Sequence, residues 1–379
     1  MNSITISTYS INKLIEKIDH AISGGFKPTL AFIYVSPTYN IRKLVAEINK
    51  YSFLVLGATT VGEIFANSEA GVQEKEESIV CTLVEIDPSA IALKVIQVDG
   101  NRYFSVGEEL SEWAKKEFAN PAIITVTSGL SFDNDAYTQG IISKGVEYIF
   151  GAAAGDDLIL KDTFVFSKEN HTNHGIVALA VDRDKIELIG ARGFGWVGIG
   201  KERIITKAVN NIVYEIDGKK AIDFYKKYLN VTAADMPQVG IEYPLEVTMR
   251  NGQVVFRAVL EINEELGALI FAGHVEEKSK IRLSSSKGTG MIENVTESIK
   301  DTLSANKGFE PELVLVFPCC SRKQVLGNLV IKEIETVYNQ TKVPLVGFFA
   351  YGEIAASPGT QGFHNETFVS VLLSTKKEK

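Results

Sequence analysis

Val346-Gly347-Phe348-Phe349-Ala350-Tyr351-Gly352-Glu353-Ile354 has a near relative towards the other end of the chain, Leu56-Gly57-Ala58-Thr59-Thr60-Val61-Gly62-Glu63-Ile64, with the same Gly-x-x-x-x-Gly-Glu-Ile spacing. Both stretches follow a βα pattern and precede a short apolar strand, so the match predicts a repeated supersecondary unit. A looser copy, Phe150-Gly151-Ala152-Ala153-Ala154-Gly155-Asp156-Asp157, reads as one residue shorter, with Asp156 where the others carry Glu63 and Glu353. Glycine lacks a side chain and adopts positive φ at little cost, so a strand entering such a segment brings backbone close to something and fixes the acid that follows. Any single copy is explained by a tight turn with its acid in solvent. Recurrence in comparable contexts sets against this the expectation that the loops line a shared cleft.

The chain around these loops alternates helical and strand patterning. Ser10 is placed to cap a helix with Ile11, Leu14, Ile15, Ile18 and Ile22 on one face, and a strand at 30–35 follows. Asn40 caps a second helix with Ile41, Leu44, Val45 and Ile48 inward, leading to a strand at 53–56 and the first loop, a βαβ order that implies parallel strands. Further on, 106–118 predicts a helix with a Ser105/Glu108 capping box, 122–127 a strand, 136–146 a helix, and 163–166 with 175–181 an antiparallel hairpin. Gly193-Phe194-Gly195-Trp196-Val197-Gly198 has the letters of a dinucleotide loop, but strand-like Ile204-Ile205-Thr206 follows where a helix is required.

A composition shift at 215–219 marks a domain boundary, beyond which come a helix at 221–229 and short strands with a hairpin turn at Asn251-Gly252. The remainder returns to α/β patterning, with Ile292, Val295 and Ile299 on one helix face and Leu326, Val330, Ile334 and Val337 on another. The expected fold is therefore α/β, with mixed sheets built from repeated βαβ-type units in two related domains, 1–216 and 217–379. A four-layer αββα sandwich is the alternative.

At 379 residues and 45% apolar content the chain is long enough for two cores. A net charge of −8 argues against nucleic acid as a partner, since the one basic cluster is the tail Lys376-Lys377-Glu378-Lys379. The start of the chain has no charged segment followed by a long apolar one, and no window approaches the ~20 apolar residues of a membrane span, so a cytoplasmic protein without a membrane segment is expected. Cys81 lies in an apolar strand, and adjacent Cys319 and Cys320 have neither zinc spacing nor an even total for a disulfide framework, so no metal site is read.

Gly62-Glu63-Ile64, the 150–157 loop, Tyr214-Glu215-Ile216-Asp217-Gly218 with the 221–229 helix, Cys319-Cys320-Ser321-Arg322, the 346–354 loop and Phe363-His364-Asn365-Glu366-Thr367 together resemble the FIST family, from about residue 30 to 373. The resemblance implies paired N-terminal and C-terminal FIST domains acting as a sensory module. Such a module binds a small ligand, an amino acid for example, and feeds a signalling protein such as a histidine kinase, a cyclase or a chemoreceptor. Some members resemble haem-based nitric-oxide sensors, which would pair with a histidine kinase. The family's Cys-x-Gly-Arg segment has Ser321 in place of glycine here and keeps Arg322. No kinase, cyclase or receptor segment is present in these residues, so a stand-alone sensor is the expectation.

An amino-acid receptor needs an acid for the ammonium and a cation for the carboxylate, held in a mostly apolar cavity. Glu63 and Glu353 are the candidates for the first and Arg322 or Arg282 for the second, with Gly62, Asp156, Tyr351 and Gly352 completing the cleft. For each arginine alone, a surface charge or structural ion pair is the plainer explanation. Haem would need an axial ligand, and His171, His174, His274 and His364 show no attachment spacing, so no cofactor is expected. Phosphate-loop, zinc-protease and nucleophile-elbow motifs are absent, which leaves an enzyme using Glu and Arg groups on a small metabolite as the remaining alternative.

Overall fold

The same element order recurs three times, with the second helix of the last unit broken in two: strand, helix, strand, helix, strand, hairpin, strand. The computed structural model describes residues 1–130, 132–358, 360 and 362–377, so Glu378 and Lys379 of the basic tail lie outside the described residues. Unit one is β1 (Asn2–Thr8), α1 (Ile11–Ser23), β2 (Leu30–Val35), α2 (Ile41–Ile48), β3 (Leu54–Thr59), the hairpin β4 (Glu63–Asn67) and β5 (Gly71–Lys75), and β6 (Ile79–Glu85). Unit two is β7 (Ile91–Gln97), α3 (Tyr103–Glu117), β8 (Pro121–Thr127), α4 (Asn134–Ser143), β9 (Ile149–Ala153), the hairpin β10 (Val165–Phe166) and β11 (His171–Thr172), and β12 (Gly175–Asp182).

Unit three opens with β13 (Ile186–Gly193) and is then interrupted by a β-rich insertion. The insertion comprises β14 (Val197–Val209), β15 (Ile212–Ile216), β16 (Lys219–Lys220), α5 (Ala221–Leu229), α6 (Gln238–Glu242), β17 (Leu245–Thr248), β18 (Val254–Arg257), β19 (Val259–Asn263), β20 (Ala268–Phe271) and β21 (Lys280–Ser285). The unit resumes with α7 (Thr289–Ala305), β22 (Leu313–Pro318), α8 (Cys320–Leu326), α9 (Val330–Thr341), β23 (Leu345–Phe348), the hairpin β24 (Gly352–Ala356) and β25 (Phe363–His364), and β26 (Phe368–Thr375). The 216/217 boundary read from composition falls inside the insertion, between β15 and β16.

Each unit gives its hairpin to a neighbour. The sheet orders are β1-β6-β2-β3-β10-β11, β7-β12-β8-β9-β24-β25 and β13-β26-β22-β23-β4-β5, so unit one takes its last two strands from unit two, unit two from unit three, and unit three from unit one. In each of these three sheets the one parallel strand pair is the βαβ pair, β2 with β3, β8 with β9 and β22 with β23, while the strands of the insertion form a fourth, antiparallel sheet. The mixed α/β architecture matches the expectation, while the arrangement is three sheets around one core and not a pair stacked inside helices. Leu30, Phe32 and Tyr34 of β2, Ile124 and Val126 of β8, and Leu315 and Phe317 of β22 meet in that core. Alternate residues face each unit's own helices, as with Ala31, Ile33 and Val35 against Leu14, Ile18 and Leu44. Strands covered on both faces read as continuous apolar runs, which is why β2 is buried along its whole length.

Two local expectations need correction. The third helix begins at Tyr103 with no side-chain cap on Arg102, and Ser105 Oγ donates instead to the Arg102 carbonyl within the first turn. The 163–166 and 175–181 segments do not pair with each other: β10 joins β11 and β3, while β12 lies between β7 and β8 in the next sheet. Short apolar strands carry no mark of which sheet will take them, so local patterning read adjacency as pairing.

Candidate functional site

The three glycine loops are the crossings from one sheet to the next, and they meet. Strand register sets Gly57, Gly151 and Gly347 opposite Ile33, Thr125 and Val316. Counting on from these, Gly155 is level with Val61 and Tyr351, but the second crossing then runs longer, from Ala154 to Phe164, and pairing puts Val165, opposite Ala58, where Glu63 and Glu353 stand opposite Phe348 and Ala152. The backbone N–H groups of Val61, Gly155 and Tyr351 donate to the carbonyls of Phe349 at 3.0 Å, Thr59 at 2.9 Å and Ala153 at 3.1 Å. This ring of bonds ties each loop to another unit, so the loops close on one another.

The acids brace this junction. Glu63 accepts from the Thr60 hydroxyl at 2.5 Å and from the Ser78 amide at 3.2 Å and hydroxyl at 2.6 Å. Glu353 accepts from the Thr367 amide at 3.1 Å, and Ser78 and Thr367 occupy the same place, just before β6 and β26. Asp157 accepts from the Ser36 hydroxyl at 2.7 Å. Burial pushes the Glu63 carboxyl up to about 7, and burial with the nearby Cys319 pushes Glu353 well above the carboxylate range. Asp156 is buried and gathers the amides of Leu160, Lys161 and Asp162 together with the Tyr351 hydroxyl.

Gly62 has φ +121°, and a Cβ on Gly352 would lie 2.2 Å from the Phe363 ring, so both glycines are required by conformation or packing. The structure does not bring the candidate arginines to the glutamates. Arg282, on β21 of the insertion, is bonded through Nε to Glu246 at 2.8 Å. Arg322 is fully buried, pairs with Glu333 at 3.1 Å through Nε, and donates through Nη1 to the Phe194 carbonyl at 2.6 Å and the Glu366 carbonyl at 2.8 Å. A buried guanidinium is tolerable when its donors are satisfied, and here they are satisfied by structure.

A cavity of about 510 Å³ opens beside the junction, between unit two, unit three and the insertion. Its walls are mostly apolar, with Leu130 and Phe132 from unit two and Ile241, Ala258 and Leu260 from the insertion. Most of the polar lining comes from unit three, with Cys319, Cys320, Ser321 and Gln324 at α8, Tyr351 from the glycine loop, and Asn365 and Glu366 from the turn before β26, while Asn134 of unit two and Gln238 of the insertion add to it. Ser321 Oγ, Gln324 Oε1 and Glu366 Oε2 are shielded from solvent and have no partner in full hydrogen-bond geometry among the described residues, although the Ser321 hydroxyl lies close enough to the Glu366 carboxyl to act on it.

Glu366 is held hard. It is buried with a φ of +61°, rare for a side chain of its size, and its carbonyl accepts from Arg322 and from Trp196 Nε1 at 3.1 Å. Burial raises its carboxyl to about 8, opposed by the neighbouring Ser321 hydroxyl and the Arg322 charge. Of the cavity residues, sequence reasoning named Tyr351 and, next to the wall, Arg322. It missed Glu366, Ser321 and Gln324 as site residues, although Cys319 to Arg322 and Phe363 to Thr367 were legible as motifs.

Arg257 latches the insertion onto the body. It donates to Asp135 at 3.2 Å, the Phe363 carbonyl at 2.9 Å and the His274 carbonyl at 3.2 Å. His274 bonds Asp133 at 2.9 Å through Nε2 and Asp135 through its amide at 2.7 Å. Burial pulls the imidazole down, but the Asp133 bond and the two aspartate charges outweigh it and hold it above its ordinary value. Asp133, Asp135 and His274 gather their ligand atoms within 4.8 Å of one another, with Asp135 already engaged by Arg257.

Family models for the FIST N domain match residues 29–219 and for the FIST C domain residues 221–356. The chain therefore belongs to the FIST family of signal-transduction sensor domains. An uncharacterized protein of Methanocaldococcus jannaschii is 26% identical over 260 residues, covering 60% of this chain and 48% of that one, so the match spans about half the relative's length. Phosphoribosylformylglycinamidine synthase II of Thermotoga maritima aligns with 100% of this chain and 73% of that one at 12% identity and a TM-score of 0.20, too low a likeness to carry an argument. No helix among the described residues is long and apolar enough to cross a membrane.

Proposed function

We propose that this protein is a small-ligand sensor that binds, without transforming, a small metabolite in the cavity between the insertion and units two and three, an amino acid being the class expected from the sequence and a carboxylate-free relative the one that the cavity's charge favours. The observation that supports this is that Ser321, Gln324 and Glu366, which carry buried polar atoms without a bonded partner, lie together on one wall of a mostly apolar cavity. A volume of about 510 Å³ suits a small molecule. Each buried polar atom left unpaired costs about 1–3 kcal/mol, which a ligand group bonding it would recover.

Binding is favoured over catalysis because the wall offers no activated nucleophile. Burial and the adjacent Cys320 push the Cys319 thiol well above its ordinary value, the opposite of what a reactive thiolate requires. The insertion forms one wall, so occupancy would change its contact with the body, and that contact is the natural output to a separate kinase, cyclase or chemoreceptor in the cytoplasm.

A thermal-shift screen of a metabolite panel tests this reading on wild type and on Ala258→Trp, which fills the cavity from the insertion side. Hits that raise Tm in wild type and leave Ala258→Trp unmoved are the expected result. Hits that stabilise both equally would place the site elsewhere, and a hit converted to product would make the protein an enzyme.

A further inference from the structure

We infer that the cavity takes an organic cation: a primary amine on a compact apolar body, with no carboxylate. This rests on the cavity being the binding site and names the class of ligand that its charge admits. No lysine, arginine or histidine is among the described lining residues, and the one carboxyl there is Glu366. Nearby cations are already engaged. Arg322 pairs with Glu333, Arg257 with Asp135, and Lys323 with Glu74 and Glu76. A ligand carboxylate would lose its water, find no counter-charge and sit in the same chamber as Glu366.

An ammonium meets the opposite situation. It carries three donors and no acceptor, and the wall residues Glu366, Ser321 and Gln324 hold acceptor atoms, closed off from water, that a turn of the side chains would bring to it. Ser321 and Gln324 are three residues apart on α8 and so are neighbours on one helix face. The apolar remainder of the ligand then packs against Leu130, Ile241 and Ala258. These contacts select an amine over its parent amino acid.

Charge pairing with Glu366 also links binding to pH. The ionisable groups near its carboxyl are Arg322 on α8, Cys319 before it, Glu353 on β24 and Tyr225 on α5. A value of about 8 leaves roughly 1% of the carboxyl ionised at pH 6 and roughly half at pH 8. Alkylammonium groups stay charged across that range, so the amine displaces a proton from Glu366 at the lower pH. Its apparent affinity should rise about tenfold or more between pH 6 and pH 8.

Calorimetric titration of the full chain decides the matter with matched sets: 2-phenylethylamine, phenylalanine and 2-phenylethanol, then 3-methylbutylamine, leucine and 3-methylbutanol. Wild type should bind an amine roughly tenfold or more tightly than the matching acid and alcohol, with the stated pH dependence. Glu366→Gln should lose both the preference and the pH dependence. Should that variant not fold, Ser321→Ala must weaken the amine and leave the alcohol's affinity closer to that of wild type. Amino acids or alcohols binding as tightly as amines, with binding lost in Ala258→Trp, would overturn the cation class and leave the cavity as the site. No binding by any of the six compounds would count against the cation class, and an empty result in the metabolite screen as well would remove the cavity reading with it.

Discussion

Glu366 combines left-handed backbone, full burial and a carboxyl oxygen without a partner, a set of costs that a purely structural residue has no reason to carry. Its titration has a visible consequence for stability. An acid whose value is raised by folding binds more protons folded than unfolded between its ordinary and raised values, so stability falls as pH climbs through that window. Glu366, at about 8, and Glu63, at about 7, both act in this sense through burial. His364, driven down to about 3 by burial and the Arg192 and Arg257 charges, adds stability with rising pH, but only up to its ordinary 6.5. His274, held above its ordinary value, contributes stability that is also lost as pH rises. The urea midpoint should therefore fall from pH 6.5 to pH 8.5, and fall less in Glu366→Gln. A flat or rising midpoint in wild type would show that these carboxyls are ionised in the folded chain. None of this was readable in the letters around Glu366, because its backbone conformation and isolation are set by Arg322 and Trp196, far off in sequence.

At the scale of elements, the glycine loops work as crossings and their packing is tight. In Gly352→Ala the new Cβ would press on the Phe363 ring, itself buried in the core under α4, and overpacking of this kind costs about 1–3 kcal/mol. Chemical denaturation should show a loss of that size. A neutral result would mean that Phe363 can turn aside. Much at this scale was legible: Ser10 and Asn40 cap their helices as the sequence indicates, and the parallel β2 and β3 pair follows from the βαβ order. The partner of each hairpin was not. β4 is bonded to β23 and β24 to β9, choices made by the meeting of three sheets and recorded in no local pattern. The same gap explains the Asp156 reading. Spacing from the second glycine aligned it with the glutamates, whereas strand pairing puts Val165 at their place and leaves Asp156 and Asp157 in a longer crossing.

Across the whole molecule, exchange of hairpins makes the three units interdependent. A cut at 216/217 leaves the first sheet whole but takes β24 and β25 from the second and separates β4, β5 and β13 from the rest of the third. Fragments 1–216 and 217–379 should each fail to give a cooperative melt alone and should form a complex when co-expressed. A soluble 1–216 fragment melting cooperatively would instead make the N-terminal half an autonomous domain. The cavity depends on this assembly as well, since its walls come from unit two, unit three and the insertion. The most direct test of the cavity as the ligand site is a crystal structure of the protein with its best thermal-shift hit at saturation. Ligand density bounded by Leu130, Ala258, Tyr351 and Glu366 is the predicted result, and density at any other place with this cavity empty would contradict it.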